Sequence, residues 1–238
     1  MNLSLLRYTK KIFIGNKLHR VFGKLSSPFF TLYNLNLLSH WAQKTGKIAI
    51  NDFPCKWDYQ KRFQLYEQII STEKLKEEPI DYLEFGVAGG HSFRWFQQNN
   101  SNPESRFYGF DTFTGLPEDW GPYKKGTFSQ GDTLPAMHDD RGEYHQGLFQ
   151  QTLPPFLKTF SNERRKVVMM DADLYSSTLF VLTSLAPFLK KDDIIFFDEF
   201  AVPNHEFKAF KDFTESYYMN LELIGAANNY YFVAFKVA

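Results

Sequence analysis

Cysteine is almost absent from this 238-residue chain: Cys55 is the only one, so no internal disulfide can form and no thiolate pair is on offer to a metal. A reducing compartment suits such a chain, and a lone thiol is more often a buried small hydrophobe than a nucleophile. Long apolar runs are missing as well. Nothing approaches the ~20 residues that a membrane span requires. The N-terminus has no uninterrupted apolar core followed by a small-residue cleavage site, which disfavours secretion and makes the cytoplasm the expected compartment. Acid is missing from one end only. No Asp or Glu precedes Asp52, whereas Arg7, Lys10, Lys11, Lys17, Arg20, Lys24, Lys44 and Lys47 all do. The formal net charge of zero therefore hides a basic N-terminal segment and an acidic remainder.

What is present argues for a folded protein. A hydrophobic fraction of 43% with 18% aromatics supplies a core and excludes global disorder. Residues 1–55 read as a basic helical appendage, punctuated by Gly15, Gly23, Ser26-Ser27-Pro28 and Gly46. Its cations interleave with Leu3, Leu5, Leu6, Ile12, Phe13, Ile14, Leu18, Val21 and Phe22. Three readings of that pattern stay open: a docked cap with a solvated basic face, a helix on a membrane surface, and a nucleic-acid arm, the last carrying least weight.

Residues 56–238 read as one domain in which strands and helices alternate. A helix is expected from about Trp57 to Leu75, then a buried strand over 80–85, a glycine-rich turn and a helix over 92–98. A second strand covers 106–110 and ends at Asp111. The stretch 112–141, dense in Gly, Pro and Asp, is expected to be irregular. A short third strand over 143–147 precedes a helix over 153–160 with Pro154 in its first turn. The fourth strand, 166–170, ends at Asp171, and a helix covers about 176–189. The fifth strand, 194–197, ends at Asp198, and Phe207, Phe210, Phe213 and Tyr217 mark a further amphipathic helix. Segments 221–224 and 230–237 form a closing antiparallel pair. The expected fold is α/β: a Rossmann-like, doubly wound, mostly parallel sheet with a C-terminal antiparallel hairpin and an N-terminal helical appendage.

In such a sheet ligands sit beyond the carboxyl ends of the strands. Acids gather there: Glu84, Asp111, Asp171 with Asp173, and Asp198 with Glu199. A carboxylate is costly inside a strand but can face a ligand or water at its end. The turn Gly86-Val87-Ala88-Gly89-Gly90 lets backbone approach a ligand, and the helix after it presents unpaired N–H groups. A tight strand-to-helix connection would explain the same glycines. A dinucleotide fingerprint is incomplete, because Ala88 stands where its middle glycine belongs. Asp111, 25 residues beyond Gly86, is placed to bind ribose hydroxyls.

The segment Tyr82-Leu83-Glu84-Phe85-Gly86-Val87-Ala88-Gly89-Gly90-His91-Ser92 resembles the first motif of class I S-adenosylmethionine-dependent methyltransferases, and more specifically the macrocin O-methyltransferase family of bacterial sugar O-methyltransferases. Three further blocks agree: Arg62-Phe63-Gln64-Leu65-Tyr66, then Tyr108-Gly109-Phe110-Asp111-Thr112-Phe113-Thr114-Gly115-Leu116-Pro117, then Asp171-Ala172-Asp173-Leu174-Tyr175-Ser176-Ser177-Thr178. The resemblance covers about residues 57–238. It implies S-adenosylmethionine as cofactor, with Glu84, Gly86, Gly90 and Ser92 around its methionine end. Asp111 would hold the ribose with Phe113 near the adenosine, and Gly147 to Gln150, Phe149 among them, would approach the adenine. It also implies a divalent ion, usually Mg²⁺, on Asp171, Asp198 and Glu199, with Asp173 a further donor. All-oxygen ligands suit that ion. Glu199 departs from the pattern, since relatives often have Asp or Asn there.

The chemistry so implied is an O-methylation of a sugar hydroxyl in a glycoside or glycan precursor, as in polysaccharide biosynthesis. The metal would lower the hydroxyl pKa, and Asp171, Asp173 or a histidine would take the proton. His91, His138 and His145 are weighed as bases but read better as surface or structural residues. Trp120, Pro122 and Tyr123 would stack on a sugar ring or simply pack the insertion. The basic segment would bring the enzyme to a membrane, cover the cofactor or build a homodimer. Two other classes stay open: a nicotinamide-dependent oxidoreductase, and a non-catalytic binding module on the same fold.

Overall fold

The computed structural model describes residues 2–45, 48, 58–131 and 133–238. The chain divides into two compact units, Met1–Lys44 and Thr45–Ala238. Cys55, Trp57 and the expected division between residues 55 and 56 lie outside the described residues.

In the first unit, helix α1 spans Leu3–Gly15 and helix α2 spans His19–Lys44. The Asn2 side chain caps α1 by accepting from the Ser4 N–H at 3.0 Å. The helix ends at Asn16, and Lys17 turns left-handed at φ 52°. The punctuation expected farther along does not materialise, because α2 runs through Gly23 and Pro28. Pro28 removes the donor for the Lys24 carbonyl, and both residues are exposed, so water meets the carbonyl. Among the described residues no helix is long and apolar enough to cross a membrane.

The second unit runs α3 (Lys61–Thr72), β1 (Ile80–Phe85), α4 (His91–Asn99), β2 (Arg106–Asp111), β3 (Gly142–Gln146), α5 (Phe149–Leu157), β4 (Arg165–Met170), α6 (Tyr175–Leu185), β5 (Ile194–Phe197), α7 (Glu206–Tyr217), β6 (Leu221–Ala227) and β7 (Phe232–Val237). The sheet order is β3-β2-β1-β4-β5-β7-β6. Neighbours from β3 to β5 are parallel, and β7 lies antiparallel between β5 and β6. This is the doubly wound, mostly parallel sheet with a C-terminal antiparallel pair. The order reverses between β1 and β4, which fixes the ligand crevice at the carboxyl ends of those two strands.

Burial explains why these segments are strands. Every residue of β1 and β5 is buried, as is all of β4 after Arg165, because helices cover both faces of a parallel sheet. Two of the buried ionisable side chains there are ion-paired, Asp81 with Arg164 at 2.9 Å and Lys166 with Asp193 at 3.0 Å. Helix α3 buries Leu65, Tyr66, Ile69 and Ile70, with Arg62 on the same stripe. Tyr82 of β1 stacks on Phe96 of α4 with ring centroids 4.5 Å apart.

Two helices depart from expectation. α5 starts at Phe149, directly after the Gly147 turn, so Pro154 and Pro155 fall in its second turn and not its first. Gln150 and Gln151, whose carbonyls lose their helical donors, are exposed and hydrated. α6 stops at Leu185: Ala186 keeps helical backbone (φ −47°, ψ −44°) and still donates to the Leu182 carbonyl, but Pro187 contributes no N–H to continue the ladder. The 112–141 segment is irregular as expected, with one isolated bridge joining Trp120 and Tyr123.

Candidate active site

Four backbone junctions build the crevice. The Gly86 N–H donates to the Phe110 carbonyl at 2.9 Å, and the Asp171 N–H donates to the Phe85 carbonyl at 3.0 Å. The Asp198 N–H donates to the Met170 carbonyl at 3.0 Å, and the Gly147 N–H to the Asp111 carbonyl at 2.9 Å. Strands β1, β2, β4 and β5 thus end level with one another, and the residue after each is delivered to one place. Gly86 sits where the sheet order reverses. Its φ is +101°, and a Cβ there would lie 1.7 Å from the Asp171 carbonyl oxygen, so only glycine lets these strand ends meet.

A cavity of about 540 Å³ opens at this junction. Of the expected site residues it is lined by Gly86, Asp111, Phe149, Asp171, Asp173 and Glu199. The irregular insertion closes one side with Glu118, Phe128 and Gln130. Ser176 at the start of α6 donates to the Glu118 carboxylate at 2.8 Å, tying that wall to the helix.

The other expected residues lie behind the wall. Glu84 is fully buried and accepts from the Tyr82 hydroxyl at 2.5 Å, because the two alternate residues share one face of β1. Phe113 turns left-handed (φ 58°) and packs its ring on Tyr144 in the core, 5.7 Å between centroids. Ser92 is buried in the first turn of α4, and Gly90 is that helix's left-handed N-cap, facing Arg94 and Pro135. Trp120 stacks on Tyr123 at 5.2 Å and packs with Leu116 and Leu174, so these rings serve the insertion's own packing.

Asp111 is clasped on both oxygens. Oδ2 accepts from the Ala88 N–H and Oδ1 from the Phe113 N–H, each at 2.7 Å. These bonds fasten the glycine turn to the end of β2 and leave each oxygen a lone pair toward the cavity. Ala88 itself is left-handed at φ 43°.

The opposite wall is crowded with carboxylates. Burial, then the neighbouring Asp198 and Asp173, hold Asp171 well above the usual carboxylate range. Burial pushes Asp173 up to about 6, and burial with the adjacent Asp173 pushes Glu199 up to about 9. Asp173 stands in left-handed backbone (φ 56°), a conformation asparagine and aspartate tolerate better than other side chains. Glu199 accepts from the Tyr231 hydroxyl at 2.7 Å, and its own N–H donates to Glu206 at 3.0 Å.

Asp198 does not join that wall. It is 1% exposed, and its oxygens accept from Tyr66 at 3.1 Å and from Tyr59 and Arg62 at 3.3 Å each. The Arg62 guanidinium also donates to the Tyr59 hydroxyl at 2.7 Å and lies 4.1 Å over the Tyr59 ring. Among the described residues no three His, Cys, Asp or Glu side chains are grouped to hold a metal ion. Of the expected metal ligands, Asp171 and Glu199 line the cavity, whereas Asp198 lies behind it with Tyr59, Arg62 and Tyr66.

Sequence reasoning missed the role of Arg62 and Tyr59. A signal existed for Arg62: it is a cation on the otherwise apolar 62-65-66-69-70 stripe of α3. Of the histidines weighed as bases, His91 lines the cavity. His145 instead stacks on Phe110 at 4.6 Å, and burial lowers its pKa.

The cavity at a topological switch point, walled by a glycine turn, a ribose-competent aspartate and an acid cluster, defines a nucleotide-type ligand site of a doubly wound α/β domain. Residues 83–200 match a family described as a methyltransferase domain. That stretch, just under half of the chain, holds the glycine turn and the acids at the ends of β1, β2, β4 and β5. No curated protein sequence matches the chain. Among solved structures it is similar to CalS11, a calicheamicin methyltransferase, with a TM-score of 0.57 and 23% identity over 75% of this chain and 78% of that one. It is also similar to the O-methyltransferase NovP, with a TM-score of 0.54 and 19% identity over 76% and 79%. At these identities the likeness speaks for the fold.

Proposed function

We propose that the protein transfers a methyl group from S-adenosylmethionine to a sugar hydroxyl of a glycoside or glycan precursor. The observation that carries this reading is the single cavity with two unlike walls, the glycine turn with Asp111 on one side and Asp171, Asp173 and Glu199 on the other. The residues suit the cofactor. Asp111 has lone pairs to spare for ribose hydroxyls, Phe149 adds an apolar face, and the acid surplus favours a sulfonium cation. When bound, S-adenosylmethionine supplies an electrophilic methyl group on a leaving thioether.

The chain's own groups do the rest. Asp173 reaches the cavity and, titrating near 6, is ionised at neutral pH, so it accepts the hydroxyl proton as the oxygen attacks. Glu199, titrating near 9, keeps its proton and shares it with Asp173, which favours the ionised form of that carboxylate. The insertion and Ser176 hold the acceptor in line, where positioning supplies much of the acceleration. A polar wall of Glu118, Gln130 and Ser176 suits a polyhydroxy acceptor. CalS11, to which the chain is similar, is a TDP-rhamnose 3'-O-methyltransferase, which supports the sugar class.

The test is methyl transfer from labelled cofactor to a panel of nucleotide sugars and glycosides, with EDTA and Mg²⁺ arms reporting metal dependence separately. Label is expected on a sugar hydroxyl. Asp173→Asn should lower kcat by about 10²–10⁴-fold while cofactor affinity by calorimetry stays within about threefold. Absence of calorimetric binding at millimolar S-adenosylmethionine, or binding of NAD(H) instead, would sink the reading.

A further inference from the structure

The N-terminal unit exposes more apolar surface than two helices would leave to water without a partner. Helix α1 has no buried residue at all. At 100° per residue its Leu5, Tyr8, Ile12 and Phe13 share one side, and Arg7, Lys10 and Lys11 share the other, with the exposed Leu3 and Ile14 among them. On α2, Val21, Phe22, Leu25, Phe29, Leu32 and Tyr33 recur every three or four residues and are all exposed, Phe29 at 72%. That stripe is about 18 Å long at 1.5 Å rise per residue. The same unit exposes the cations Arg7, Lys10, Lys11, Lys17, Arg20 and Lys24, with no acid anywhere in residues 2–45.

Two chemistries must be met by one occupant. A nucleic acid answers the cations but offers nothing to an 18 Å apolar stripe on the outside of a helix. A second copy of the same unit answers the stripe but sets cation against cation, since the unit holds no carboxylate to pair with them. An anionic lipid surface answers both: apolar side chains enter the acyl boundary and lysine and arginine stay at the phosphates. Neither helix can span a bilayer, so the mode is in-plane.

We propose that α1 and α2 dock in the plane of an anionic lipid bilayer. The inference is independent of the acceptor assigned above and concerns only the N-terminal unit.

The experiment is sedimentation of the full chain with phosphatidylcholine vesicles, with and without phosphatidylglycerol, at low and high salt. Recovery should rise on the order of tenfold with phosphatidylglycerol and fall as salt rises. Leu25→Asp with Phe29→Asp should lower recovery by a similar factor. Circular dichroism and cofactor calorimetry should be unchanged, since the cavity lies in the other unit. A second variant, Lys10→Gln with Lys11→Gln, should weaken binding to the anionic vesicles and leave the phosphatidylcholine baseline alone. Equal recovery on both vesicle types, no recovery on either, or full binding by the Asp variant overturns the proposal. So does sedimentation equilibrium showing self-association that the Asp variant abolishes while vesicles stay unbound. Duplex RNA binding without vesicle binding overturns it equally.

Discussion

The two walls of the cavity are held by opposite means. On the turn wall, Asp111 is fixed by two backbone N–H groups, and the turn is fixed by Gly86 against the Asp171 carbonyl. Backbone supplies the rigidity there, and the carboxylate is spent on geometry before any ligand arrives. On the acid wall, Asp171, Asp173 and Glu199 sit close together with raised proton affinities, and the nearest cation, Arg62, is committed to Asp198 behind them. That wall relieves its crowding by holding protons at pH values where free carboxyls have lost them. One wall is thus set by hydrogen bonds to backbone, the other by which of its carboxyls hold protons.

Three substitutions sharpen the contrast. Gly86→Ala should have the largest effect, because it sits under both walls. Its Cβ would overlap the Asp171 carbonyl at 1.7 Å in backbone that disfavours side chains, so a loss above about 4 kcal/mol is expected from overpacking and strain combined. Denaturant unfolding measures it, and a stable variant that still binds cofactor would break the account of the junction. Arg62→Met comes next. It leaves the Asp198 carboxylate buried with two tyrosine hydroxyls and no cation, an expected cost of about 3 kcal/mol. Arg62→Met with Asp198→Asn should lose clearly less than the two single changes summed, which a double-mutant cycle by thermal unfolding would read. Asp111→Asn is the mildest. The amide keeps one acceptor where two N–H donors wait, so S-adenosylmethionine affinity should fall about 10- to 100-fold, for a loss of about 1–3 kcal/mol. Its kcat at saturation should stay within a few-fold. A collapse of kcat in this variant would erase the division between the walls.

The fold was legible because fully buried parallel strands write themselves as short apolar runs with an acid at the end. β1 and β5 fall where the pattern put them, and β2, β3 and β4 within one residue. The helices were harder. Pro28 and Gly23 look like stops, but an exposed helix can hydrate the carbonyl that a proline orphans, so α2 continues through them. In the site, motifs located the strand-end acids but not their orientation. Asp198 and Glu199 are neighbours in sequence, yet one turns inward to Tyr66 and Arg62 and the other outward to the cavity. Their partners, Arg62 and Tyr231, are supplied by segments on either side of the motif, at separations that local pattern cannot register. Glu84, Phe113 and Ser92 stand at motif positions and support the wall from behind.

Strand β7 lies between β5 and β6 although it follows both in the chain. Until residues 232–237 have left the ribosome, β5 is an edge strand with its backbone groups bare, and β6 has nothing to pair with. The segment just before β7 also delivers Tyr231, whose hydroxyl binds Glu199 and whose carbonyl accepts from the Phe200 N–H. Glu199 therefore gains its tyrosine partner only once residue 231 has been made, whereas Asp111 and the N–H groups that hold it lie far earlier in the chain. Slow or interrupted translation of the last stretch would leave an open β5 edge for other chains to capture.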